Sequence, residues 1–133
     1  MMSGLLRIDQ DGRFSVVAGA ASVGEALPIS EVSSPEQIAQ LLSQETVSLR
    51  LDGFADGRGF SVARQLRLQG FSGAIEVIGD LLPDQLPMAV ASGIDAILIR
   101  VEHAERCDET QWRQSSADKK RFLYQRSVAP GVT

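Results

Sequence analysis

From Phe54 to Gln85 the chain reads FADGRGFSVARQLRLQGFSGAIEVIGDLLPDQ, and this glycine-punctuated stretch holds most of the side chains suited to chemistry. Asp56, Arg58, Ser61, Arg64, Arg67, Asp80, Asp84 and Gln85 fall within it, Lys is absent, and Glu76 is its one glutamate. Solvated faces usually draw on Lys and Glu. Arg instead offers a planar fork of donors and Asp a short, stiff carboxylate, so together they suit polar geometry that is held fixed. What is held is either a ligand or the loops of the fold.

The sharpest ligand reading is an oxyanion cradle. Gly57-Arg58-Gly59-Phe60-Ser61 runs into a predicted helix. The first N–H groups of that helix, near Phe60 and Ser61, and its positive dipole end would meet sulfite, sulfate or phosphate, aided by Arg58 or Arg64. The competing reading is structural: Gly59 or Ser61 caps the helix, Arg58 pairs with Asp80 or Asp84, and Arg64 and Arg67 brace the loops. On either reading the candidate rim is Asp56, Arg58, Gly59, Ser61, Arg64, Asp80, Asp84 and Gln85.

Other constellations weigh less. Asp52, Asp56 and Asp80 would suit Mg²⁺, a hard cation that prefers oxygen, yet nearby arginines satisfy the same carboxylates. His103 and Cys107 stand four apart, on one face of a helix, but two ligands do not make a zinc site; a partly buried thiol and a surface imidazole are the plainer reading. Val62 stands where G-x-G-x-x-G needs its third Gly, and no G-K-[ST] occurs. One Cys and one His leave a single chain without the ligands of an iron–sulfur cluster. No cofactor is expected. Leu81-Leu82-Pro83 and Leu86-Pro87-Met88 read as core packing, or else as a pocket or partner surface beside the polar rim.

Alternating elements must position these groups. Leu5–Ile8 and Arg13–Val17 flank Asp11-Gly12, which predicts a β-hairpin with a tight two-residue turn. Residues 18–34 read as an irregular connection. Ser34-Pro35-Glu36-Gln37 opens a helix, with Ser as N-cap and Pro at the first position, and Ile38, Leu41 and Leu42 form its buried stripe. Then follow strand Thr46–Leu51, helix Phe60–Gln69, strand Ala74–Ile78, helix Asp84–Ser92 and strand Ala96–Ile99. Short aliphatic strands between Gly-terminated helices predict βαβ units and a parallel sheet. Residues 102–118 read as helical with Trp112 as anchor, residues 121–125 as a short last strand, and 127–133 as frayed. The expected fold is a single α/β domain over 1–133, with a small, mostly parallel sheet, the hairpin at about 5–17 and the motif-bearing core at about 46–100. In such sheets ligand-binding groups gather beyond the carboxyl ends of the strands. Asp52, Gly79-Asp80 and Arg100 follow the three main strands, so one rim collects them, and Arg58 is expected to reach Asp80 across it.

At 133 residues, 44% apolar and 23% charged, the chain is ordinary for a soluble globular domain. Its net charge of −4 and 5% aromatic content speak against nucleic acid as a partner. Residues 1–110 hold 8 basic and 16 acidic side chains, whereas 111–133 hold 5 and 1, a basic tail that reads as solvated. No apolar run approaches a membrane span and no secretory signal is evident, so no membrane and a cytoplasmic location are expected; the lone Cys107 fits a reducing compartment.

The spacing of Asp56-Gly57-Arg58-Gly59, Ser61, Ala63-Arg64, Leu66-Arg67, Gly70, Gly73, Gly79-Asp80, Asp84-Gln85, Gly93 and Asp95 resembles an uncharacterised bacterial family, a domain of unknown function. Genes of that family commonly lie beside those for assimilatory sulfite reductase and cysteine biosynthesis, and its members are often labelled oxidoreductases of sulfite reduction. The resemblance covers roughly residues 47–100, with a weaker echo at Phe122–Gln125. It implies an accessory or regulatory protein of sulfite reduction, with reductase components or a small oxyanion as partners; a small enzyme working on a sulfur-pathway oxyanion or phosphorylated metabolite is the alternative. Two positions depart from the pattern. Ser92 stands where the family often has Cys, and Ile94 and Ile97 stand where aromatics are common around Asp95, so a thiol mechanism does not carry over.

Overall fold

The computed structural model describes residues 4–17, 26–32, 34–51 and 57–117. Strands β1 (Leu5–Ile8) and β2 (Phe14–Val16) form the expected hairpin, with Leu6 opposite Val16 and Ile8 opposite Phe14. Its turn is longer than the two-residue type. The Asp9 N–H donates to the Arg13 carbonyl (3.1 Å) and the Gly12 N–H to the Asp9 carbonyl (3.0 Å). Asp9 Oδ1 also accepts from the N–H groups of Asp11 (2.9 Å) and Arg13 (3.0 Å). Gly12 alone in this turn has a positive φ, 82°. The Asp9 carboxylate thus stabilises a three-residue loop ending in a left-handed Gly, in place of two left-handed residues.

The chain continues through β3 (Leu27–Pro28), a 3-10 turn (Ile29–Glu31), α1 (Pro35–Leu41), β4 (Thr46–Arg50) and α2 (Arg58–Leu68). After these come β5 (Ala74–Ile78), a second 3-10 turn (Pro83–Gln85), α3 (Leu86–Ala91), β6 (Ala96–Arg100) and α4 (Val101–Ala104). A fifth helix, α5, covers 109–117. The start of α1 is as the sequence predicts: the Gln37 N–H donates to Ser34 Oγ (3.2 Å) and the Ser34 N–H to Gln37 Oε1 (3.0 Å).

The sheet has six strands in the order β2-β1-β6-β5-β4-β3. The pairs β3–β4, β4–β5 and β5–β6 are parallel, and β1 runs antiparallel to both β6 and β2. Because β3 to β6 lie side by side in sequence order, right-handed crossovers put all three intervening helices on the same face. The core bears this out. Val47, Leu49, Val77 and Ile97 from one face of the sheet join Leu66, Leu86 and Trp112 in one buried cluster. The other face carries a smaller cluster, Ala26, Ile78 and Leu98, with Leu5 and Val17 against it.

Three expectations are corrected. The connection 18–34 contains β3, whose two residues are too few for a periodic signal and whose Pro28 is tolerable because β3 is an edge strand. The helix predicted over 84–92 begins instead as a 3-10 turn and becomes α-helical at Leu86. The helix predicted over 102–118 is two helices, broken at Asp108. The Asp108 carboxylate accepts from the Gln111 N–H (3.2 Å), the bond of an N-cap residue, and starts α5 afresh. Trp112, fully buried, anchors α5 and donates its indole N–H to the Cys107 carbonyl (3.0 Å). The strand expected at 121–125 and the frayed end at 127–133 lie outside the described residues.

Candidate functional site at the carboxyl edge of the sheet

Strands β4, β5 and β6 end together, and their pairing continues one residue further. The Leu51 N–H donates to the Ile78 carbonyl (2.9 Å) and the Gly79 N–H to the Leu98 carbonyl (3.0 Å). Two of these strands finish in arginine, Arg50 on β4 and Arg100 on β6, and the chain beyond β5 supplies Asp80 between them. Asp80 Oδ2 accepts from Arg100 Nε and lies beside Arg100 Nη2, each at 2.6 Å, while Oδ1 accepts from the Arg100 backbone N–H at 3.1 Å. The carboxylate is one-quarter exposed and the guanidinium 62% exposed, so the pair sits at the lip of the sheet with the rest of the Arg100 fork turned to solvent. The ion pair of Asp80 is therefore with Arg100, not the expected one with Arg58.

The other predicted rim residues that the structure describes lie on α2 and the second 3-10 turn. Arg58 is exposed at the first position of α2, with Gly57 as N-cap. Gly59 has a packing role, since a Cβ there would collide with Leu51 Cδ2. The N–H groups of Phe60 and Ser61, expected to face an anion, already donate to the Gly57 carbonyl (3.2 and 3.3 Å), because the helix starts two residues earlier than predicted. Ser61 and Arg64 are exposed. Six residues separate Arg58 from Arg64, about 9 Å along the helix and about 240° around it, so they cannot close on one small ion. Asp84 is exposed in the 3-10 turn, and Gln85 Oε1 turns back to accept from the Leu82 N–H (2.7 Å). Asp56 and Asp52 lie outside the described residues. Of the three carboxylates considered for Mg²⁺, the described one, Asp80, is committed to Arg100.

Arg67 is at the opposite edge and has a bracing role. Its Nε and Nη2 donate to the Gly93 carbonyl (3.0 and 2.9 Å), and Nη1 donates to the carbonyls of Phe71 (2.9 Å) and Gly73 (2.8 Å). Nη2 also reaches Asp95 Oδ2 at 2.9 Å, the oxygen that accepts from the Ile75 N–H at 2.8 Å. One guanidinium thus ties the approaches to β5 and β6 together and lies over the Phe71 ring. Gly93, at φ 98°, leaves room for the Arg67 stem. Ser92, at the position where the resembled family often has Cys, is buried and donates to the Met88 carbonyl (2.8 Å).

His103 is half-buried rather than on the surface. Its Nε2 lies 2.6 Å from the Leu81 carbonyl oxygen, which can only accept, so the ring donates there and ties α4 to the chain beyond Asp80. Cys107 packs partly buried against the main core. Leu81 and Leu86 belong to that core, whereas Leu82 and Met88 are exposed.

A cavity of about 290 Å³ opens at the carboxyl edge on the sheet face opposite α1, α2 and α3. Arg50, Asp80 and Arg100 border it, and Leu5, Ile78 and Leu98 contribute its apolar side. Arg50 is exposed and makes no ion pair with the described residues. A larger cavity, about 430 Å³, lies between the hairpin turn and α5, away from the strand ends, and mixes Asp11 with Arg13 and Arg113. The rim cavity is the better candidate, because it lies where open α/β sheets place ligands and has unneutralised donors over an apolar floor. Arg100 is at the rim as the sequence predicts, whereas Arg50 is not among the expected rim residues, although TVSLR, like AILIR, ends in arginine.

Among the described residues no helix is long and apolar enough to cross a membrane. Comparison with curated proteins and with solved structures gives no match. A family model does match, over residues 26–131, and by it the chain belongs to the bacterial proteins of unknown function grouped as DUF934.

Proposed function

We propose that this chain is an accessory protein of sulfite reduction, working in the cytoplasm, that holds an oxyanion-bearing metabolite at the carboxyl rim of its sheet and does not transform it. The observation that carries the binding reading is the rim itself, where Arg50 and Arg100 end two strands and open into one cavity beside Asp80. Guanidinium forks match the oxygens of sulfur and phosphorus oxyanions and of carboxylates. A general base needs a lone pair directed at substrate, whereas the Asp80 oxygens already accept from Arg100 at 2.6 and 3.1 Å, which favours binding over acid–base work. The pathway part of the reading rests on the resemblance of the Asp56–Asp95 motif to a family encoded beside assimilatory sulfite reductase, and it makes reductase components the expected partners.

The test is growth of a strain lacking the gene, on sulfate and on cysteine as sole sulfur source. A defect on sulfate that cysteine relieves, and that the wild-type chain complements, is the expected result. Equal growth of deletion and parent strains on sulfate removes the pathway assignment.

A further inference from the structure

The rim cavity has a chemistry more specific than a site for a bare inorganic anion. Among the described residues its charged members are Arg50, Arg100 and Asp80, a formal charge of one positive unit. Its apolar members are Leu5 on β1, Ile78 on β5, Leu98 on β6 and Leu51 just past the end of β4. Register fixes their arrangement. Arg50 is level with Ile78, Ile78 with Leu98, and Arg100 with Leu5. Arg50 and Arg100 therefore stand two strands and two residues apart, about 12 Å between Cα atoms, with Ile78 and Leu98 between them. The two long side chains rise from opposite sides of an apolar floor. A bare sulfate or phosphate centred between them would lie over hydrocarbon, which offers its remaining oxygens no hydrogen bonds.

We propose that the cavity is a binding site for a small organic monoanion: a sulfonate or carboxylate head on a short aliphatic body. The inference rests on the rim as the functional site and adds the class of ligand. The head group takes the open donors of Arg50 and the solvent-facing part of the Arg100 fork, while the aliphatic body covers Ile78, Leu98 and Leu5. Asp80 sets the charge preference. It neutralises one arginine, so a single negative charge on the ligand balances the site, and a second would meet the carboxylate. The volume, about 290 Å³, is at the lower end for small-molecule pockets and suits a molecule of amino-acid size.

Isothermal titration calorimetry on the full chain tests this with three probes: 1-propanesulfonate, inorganic sulfate and 1-propanol. Propanesulfonate is expected to bind with one-to-one stoichiometry at millimolar or lower concentration. Sulfate should be about tenfold weaker or more, since it cannot bury methylenes, and propanol should show no saturable heat. Arg50→Ala should weaken propanesulfonate tenfold to a hundredfold, and Arg50→Lys should lose most of the same binding, because a single ammonium cannot reproduce the fork. Arg50 is exposed and makes no ion pair with the described residues, so Arg50→Ala should melt like wild type. Arg64→Ala, on the helical side of the sheet, should bind like wild type. The assignment falls if propanesulfonate gives no heat, if sulfate binds as tightly, or if Arg50→Ala binds as wild type does. Calorimetry and growth separate the two readings: binding with no growth defect keeps the ligand class and removes the pathway, and the converse removes the ligand class alone.

Discussion

Replacing Arg67 with Met keeps most of the side-chain length and removes every donor, which isolates what the guanidinium contributes. Its hydrogen bonds reach the carbonyls of Gly93, Phe71 and Gly73 and the Asp95 carboxylate at 2.8 to 3.0 Å. A hydrogen bond to a charged group contributes on the order of 1.5–3 kcal/mol, and the five added together would exceed 7 kcal/mol. That sum overstates the effect. The Arg67 side chain is 28% and the Asp95 side chain 37% exposed, so water reaches part of the site and re-solvates some of the acceptors. Breaking a buried pair by removing one partner typically costs 3–5 kcal/mol, and about 3 kcal/mol is the better expectation here. Against a total stability of about 5–15 kcal/mol, this is a large fraction. In urea, with a slope of about 2 kcal/mol/M, the unfolding midpoint should fall by about 1.5 M with the slope unchanged. Arg67→Lys should recover little, because one ammonium cannot reach carbonyls on both sides of the strand entrances. Arg64→Ala, exposed on the same helix, should stay within about 0.5 kcal/mol of wild type. A loss below about 1 kcal/mol for Arg67→Met, or full recovery by Lys, would refute the reasoning that geometry, more than charge, makes Arg67 a brace.

Gly93→Ala should destabilise by about 2–4 kcal/mol, because φ is 98° and the added Cβ meets the Arg67 stem. By differential scanning calorimetry the midpoint should drop by about 10 °C, and a shift under about 3 °C would show that the backbone relaxes freely. Asp108→Ala should cost about 1 kcal/mol through loss of the cap on α5. Hydrogen exchange should report it as faster exchange at Gln111 and Trp112 before the sheet amides change; uniform acceleration would assign Asp108 to the global fold.

The alternation of elements is legible in short windows of the chain. Aliphatic runs such as VSLRL, IEVI and AILI, set between helices ended by Gly70 and Gly93, specify βαβ units because their periodicity and punctuation are local properties. The same holds for the Ser34 capping box, whose partners lie within one turn of each other. Membership of the family was legible too, although not what the family does. Local signals could not assign partners to the arginines. Arg67 and Asp95 are 28 residues apart, and Arg100 and Asp80 are 20 apart, so only the closing of the parallel sheet brings each pair together. Arg58 looked equally suited to Asp80 in sequence. Register decided otherwise, because β5 and β6 are neighbours and their ends place Arg100 directly beside Asp80. Tertiary structure also chose the face. With β3 to β6 laid down in order, right-handed crossovers put the helices on one side and leave Arg50, Ile78, Leu98 and Arg100 on the other. The cavity exists because strand ends distant in sequence meet side by side on that face, which no window of the sequence encodes.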